Sequence, residues 1–138
     1  MSPNLDSLLS RLAEARRLEK EQTLFYRSLA AAAETAGDAL ASERLNELHA
    51  DEQHHLSRLT ARVLELGGDP EDRPGGLRDH SLEGWETEAR EREVREVAFY
   101  DAFLEENFVD PETRRVLEEI RESEDLHRRH LGGKWMSA

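Results

Sequence analysis

Four times along a 138-residue chain, apolar residues recur every three or four positions, and each time the stripe is interrupted near its middle by a glutamate. Residues at this spacing share one face of an α-helix, so whatever occupies a stripe position points toward the core. The second stretch runs Leu45, Leu48, Leu56, Leu59, Val63, Leu66, with Glu52 in the gap and His55 one turn further on. The fourth runs Val116, Ile120, then Glu124 and His127, then Leu131. The first carries Leu5, Leu8, Leu12, Ala15, then Glu19, Gln22 and Tyr26, then Leu29 and Ala33. The third carries Leu82, Trp85 or Glu86, Ala89, then Glu93, Glu96 and Tyr100, then Phe103. Glu91 falls outside that register, roughly 200° around the helix from Glu93.

Start and stop signals frame these stretches as helices over about 4–36, 39–66, 82–107 and 111–131, in one domain covering 1–138. Asn4, Asp38 and Ser81 are suitable N-caps, Gly37, Gly67-Gly68 and Gly132-Gly133 suit helix ends, and Asp110-Pro111-Glu112 is a strong helix start. The only clear linker is Gly67 to His80, rich in glycine and proline. A helix of about 28 residues is roughly 42 Å long, and an extended connector of about 14 residues reaches roughly 46–50 Å. The linker can therefore return along the whole bundle and leave the second and third helices parallel, whereas the other two connections are short enough to force antiparallel neighbours.

Four glutamates in one core layer repel one another, and each costs several kcal/mol to desolvate. Two divalent cations would balance four carboxylates, with the neutral imidazoles of His55 and His127 completing the coordination. A polar core paired by arginine or protonation, or a different helix register, are the other readings of the pattern. Spacing alone does not decide: with 22 glutamates and six histidines, about one Glu-x-x-His pairing arises by accident. Position on the stripes carries the argument. The two halves also match, since Glu19 and Glu93 each precede a Phe-Tyr pair so that Tyr26 and Tyr100 follow by seven residues, and Glu52 and Glu124 follow by 33 and 31. Tyr26 and Tyr100 are candidates to hydrogen-bond a metal-bound carboxylate or donate an electron, against a plain packing role. His49 and His130 fall one turn outside the motifs, and His54 and His80 read as exposed.

These residues resemble the ferritin-like superfamily, with rubrerythrin and bacterioferritin relatives the nearest in pattern, over all four helices. The resemblance implies a ferritin-like four-helix bundle with a long crossover, and a metal pair bound by Glu19, Glu52, His55, Glu93, Glu124 and His127. A further glutamate three residues after the third-helix ligand is similar to one in rubrerythrins and adds Glu96 as a candidate. The implied chemistry is oxidation of an Fe(II) pair by dioxygen or peroxide, of ferroxidase or peroxide-reductase type, with manganese as an alternative metal. A homodimer is expected from the same resemblance. A metal-binding or iron-delivery module without catalysis is the alternative function.

Composition bounds the rest. The chain has no cysteine, which removes disulfides, iron-sulfur clusters and a rubredoxin-type relay, so a peroxidase would need an external electron donor. The only methionines are Met1 and Met136, so no haem of the bacterioferritin kind is expected; no fifth helix is expected after the fourth, and with it no ferritin cage. A net charge of −12 disfavours nucleic acid as partner. No apolar run reaches the roughly 20 residues of a membrane span and no signal-peptide pattern opens the chain, so a cytoplasmic protein is expected.

Overall fold

A computed structural model describes residues 3–71 and 80–131. Among them are four helices: α1 (Pro3–Ala36), α2 (Ala39–Glu65), α3 (Trp85–Leu104) and α4 (Pro111–Leu131). The α1–α2 turn is tight because Gly37 takes φ +72°, a left-handed conformation that costs a side chain strain. Asp38 then caps α2, its carboxylate accepting from the Ala41 amide at 3.1 Å. At the other end of α2, Gly67 is again left-handed. Gly68 passes so close to α1 that a Cβ there would stand 2.7 Å from Leu9 Cδ2.

Two helix starts differ from the sequence expectation. Asn4 lies inside α1 rather than capping it. The third helix begins at Trp85, not near residue 82, because Gly84 at φ +69° breaks the helical path; Ser81 instead closes a turn by accepting from the Glu83 amide. It also ends at Leu104, short of Asn107. The fourth starts where expected, with Asp110 accepting from the Thr113 amide at 3.3 Å. Gly132-Gly133, Met1, Met136 and linker residues 72–79 lie outside the described residues.

Long-range pairs fix the topology. Tyr100 meets Glu19 and Tyr26 meets Glu93, so α1 and α3 are antiparallel. His127 meets Asp51 and Arg62 meets Thr113, so α2 and α4 are antiparallel too. Arg16 on α1 donates to Thr60 on α2, whereas Phe25 and Leu29 share a cluster with Leu45, which makes that pair antiparallel as well. Helices α2 and α3 therefore run parallel, and the chain between them must cross the bundle's length. Both described ends of that crossover lie along α1: Glu71 O accepts from Arg16, and the His80 amide donates to Ser28 Oγ while its ring stands edge-on to Phe25 at 4.9 Å. His80 is thus half-buried in a packed contact, where the sequence suggested an exposed side chain.

The core has two apolar parts. Leu8, Leu12, Leu59, Phe103, Val116 and Leu117 centre one; Phe25, Leu29, Leu45, Trp85, Ala89 and Leu131 centre the other. Trp85, not Glu86, takes the inward position at the start of α3.

Candidate metal centre

Between the two apolar parts lies a polar layer. Glu19, Glu52, Glu93 and Glu124 are each 0% exposed, His55 and His127 are buried, and Tyr26 and Tyr100 are fully enclosed. Each helix supplies one of these glutamates from its inward face, as the stripes require, while Glu91 is exposed.

The donors form two overlapping groups. One atom from each of Glu19, Glu52, His55 and Glu124 lies within 4.8 Å of the others, and the same holds for Glu52, Glu93, Glu124 and His127. Glu52 and Glu124 belong to both. His55 Nδ1 stands 3.2 Å from Glu124, 3.7 Å from Glu19 and 3.8 Å from Glu52. His127 Nδ1 stands 3.3 Å from Glu52 and 3.5 Å from both Glu93 and Glu124. None of these contacts is aligned as a hydrogen bond: both carboxylate oxygens of Glu52 and Glu124, one each of Glu19 and Glu93, and both Nδ1 atoms are buried without a hydrogen-bond partner.

Around the donors, hydrogen bonds hold Glu19, Glu93 and His127. Tyr26 OH donates to Glu93 Oε1 at 2.7 Å, and Gln22 Nε2 donates to the same oxygen at 3.0 Å. Tyr100 OH donates to Glu19 Oε1 at 2.7 Å. His127 Nε2 pairs with Asp51 Oδ2 at 2.8 Å, leaving its Nδ1 aimed at the layer. Asp51 and Gln22 had no role in the sequence pattern. Gln22 sits on the inward stripe, where its position was visible but not its partner. Asp51 lies beside the stripe, and only the packing of α4 against α2 brings His127 to it.

The electrostatics of the layer show strong mutual strain. Burial, then the charges of Glu124, Glu19 and Glu93, pushes the Glu52 carboxyl well above the ordinary range. Glu93 is raised to about 7 by burial and the Glu124 charge, against the opposing contacts of His127 and Tyr26. Burial would raise Glu124 too, but the close approach of His127, His55 and Glu52 outweighs it and holds that carboxyl below its usual value. Burial disfavours the charged imidazoles, yet Glu124 and Glu19 raise His55 to about 9, and Asp51, Glu124 and Glu93 raise His127 to about 12. A cluster that draws protons this strongly is one in which cations would be stabilised.

Glu96 is buried with one unpartnered oxygen but stands outside both four-donor groups. Burial, then Glu19, Glu124 and Glu93, raises it to about 10. His54 and His130 are exposed and His49 is half-buried.

The same architecture is found in a solved structure. Over 96% of this chain and 81% of the other, the backbone superposes with a TM-score of 0.86 on the bacterioferritin of Desulfovibrio desulfuricans, at 20% sequence identity. The fold is ferritin-like. No protein-family profile and no curated protein matches the chain. That bacterioferritin is described with a diiron site in different catalytic states. In the ferritin-like bundle seen here, the carboxylate and imidazole layer sits at mid-height between the apolar parts, and among the described residues no helix is long and apolar enough to cross a membrane.

Proposed function

We propose that the chain is a dimetal carboxylate protein that binds two ferrous ions and oxidises Fe(II) with dioxygen or peroxide. The observation that carries this is the pair of overlapping four-donor groups sharing Glu52 and Glu124. Their buried, unpartnered oxygens and nitrogens are the donor set a hard divalent cation takes, and iron is favoured over manganese by the diiron site of the structurally similar bacterioferritin. Bound iron supplies the electrons: two Fe(II) and two protons reduce one peroxide to two waters.

The chain's residues have separable roles. Glu52 and Glu124, common to both groups, would be shared by the two ions, and Glu19 and Glu93 would each serve one. Tyr100 and Tyr26 hold those two terminal carboxylates at 2.7 Å, so rotation of either glutamate requires breaking a charge-assisted hydrogen bond. His55 and His127 present Nδ1 as neutral ligands. The one-domain protein works in this reading as a cytoplasmic homodimer that uses an external electron donor for repeated turnover and contains no haem.

Anaerobic Fe(II) loading of the full chain, followed by metal analysis, should give about two ions per chain, and Glu52→Ala combined with His127→Ala should reduce this toward zero. A ratio near zero in the unaltered protein rejects the assignment. Consumption of dioxygen or peroxide on adding Fe(II) then separates the oxidase and peroxide-reductase forms, and binding with no consumption of either leaves iron storage or delivery.

A further inference from the structure

The two half-sites are related by a near-repeat of sequence, and two of the positions at which the halves differ bear on the donors. Three residues after the terminal glutamate stands Gln22 in one half and Glu96 in the other; one residue before the shared glutamate stands Asp51 in one half and Ser123 in the other. Both differences favour the same side of the layer. Gln22 crosses from α1 to donate to Glu93 at 3.0 Å, so Glu93 receives two hydrogen bonds where Glu19 receives only that of Tyr100. Asp51 crosses from α2 to His127 Nε2 at 2.8 Å, whereas His55 Nε2 meets no hydrogen-bonding group among the described residues. Glu96, in the place equivalent to Gln22, has an unpartnered oxygen and makes no hydrogen bond to Glu19.

We infer that the two cation positions are inequivalent, and that the one formed by Glu93 and His127 with the shared glutamates binds divalent ions more tightly and fills first. The inference rests on the dimetal assignment above. An imidazole whose distal N–H is held by a carboxylate is fixed in one tautomer and ring orientation and is a more basic ligand; removing such a partner typically weakens metal binding about 10–100-fold. A terminal carboxylate held by two donors loses less freedom on ligation than one held by a single donor. Asp51 and Gln22 are positioning residues here, acting through His127 and Glu93.

Co(II) titration of the metal-free full chain under anaerobic conditions, followed by visible absorption and calorimetry, tests this without iron turnover. The unaltered chain should bind two Co(II) in two steps separated by about tenfold or more. Asp51→Ala should weaken the first step about 10–100-fold and leave the second in place, so the steps merge, and Asp51→Asn, which keeps an acceptor, should restore part of the gap. Ser123→Asp should tighten the second step instead. Two ions bound with one shared affinity, or equal weakening of both steps by Asp51→Ala, overturns the inequivalence while leaving the dimetal assignment standing. Failure of the unaltered chain to bind Co(II) at either position removes both.

Discussion

Replacing Glu52 by glutamine should stabilise the bundle in chelator and destabilise it, relative to the unaltered chain, in saturating divalent cation. Glu52 is 0% exposed, and neither of its side-chain oxygens has a hydrogen-bond partner. A buried unsatisfied polar group costs about 1–3 kcal/mol, more when charged, and the glutamine amide is isosteric, carries no charge to desolvate and can donate to the neighbouring Glu124. The variant should therefore gain about 1–3 kcal/mol without metal, which is about 3–10 °C in melting temperature at this chain length. Cation binding reverses the order, because Glu52 belongs to both donor groups. Each ion present at a hundred times its dissociation constant contributes about 2.7 kcal/mol to the fold that binds it, and the variant loses part of this at two positions at once. Urea unfolding followed by far-ultraviolet circular dichroism, with EDTA and then with Co(II), gives both numbers for both proteins. A glutamine variant that is less stable in EDTA, or that gains as much from Co(II) as the unaltered chain, would refute the view that this layer is held at an energetic loss for the sake of cations.

Three further outcomes are expected. Tyr26→Phe removes the 2.7 Å bond to Glu93 and should cost about 1.5–3 kcal/mol of the cation-bound stability, read from the same unfolding curves. Leu12→Ala, at a fully buried site in one apolar part, should cost about 2–5 kcal/mol with or without cation, showing that packing and metal terms are separable. Asp110→Ala removes the cap of α4 and the 2.9 Å pair with Arg62, and should cost about 1 kcal/mol at neutral pH. Burial opposes it, but the Thr113 side-chain and amide hydrogen bonds and Arg62 hold the Asp110 pKa below its usual 3.8. Its contribution is thus complete above that value and fades as the pH falls through the lower folded one, so the difference between variant and parent should vanish in acid.

Much of the polar layer was visible in the sequence, because helical periodicity is a statement about burial and the four glutamates occupy positions that leucine fills elsewhere on the same stripes. Periodicity says nothing of neighbours at a given height. Asp51, one residue off the stripe, gains its partner only because α4 places His127 beside it. Local signals failed where two competed: Ser81 is a good cap, but Gly84 adopts a left-handed conformation three residues on and moves the helix start to Trp85. His80 is half-buried through Phe25 and Ser28, contacts supplied by α1 across the crossover that leave no local trace in the sequence.

The sevenfold spacing from glutamate to tyrosine in both halves has a geometric reason. In an antiparallel pair, a step along α1 is matched by an equal step backward along α3, so Glu19 can face Tyr100 while Tyr26 faces Glu93 only if the two intervals are the same. Seven residues is close to two full turns, which keeps all four side chains on the shared inner faces. Both cross-bonds are 2.7 Å long, so the intervals match within the tolerance of a strong hydrogen bond. Each tyrosine thereby braces the terminal carboxylate of the other half. A single residue inserted between Glu19 and Tyr26 would rotate one of them by about 100° and break at least one brace. The two halves of the chain consequently cannot assemble their donor groups separately: the carboxylate of each is set in place by the other's phenol, which ties the polar layer to the full four-helix topology.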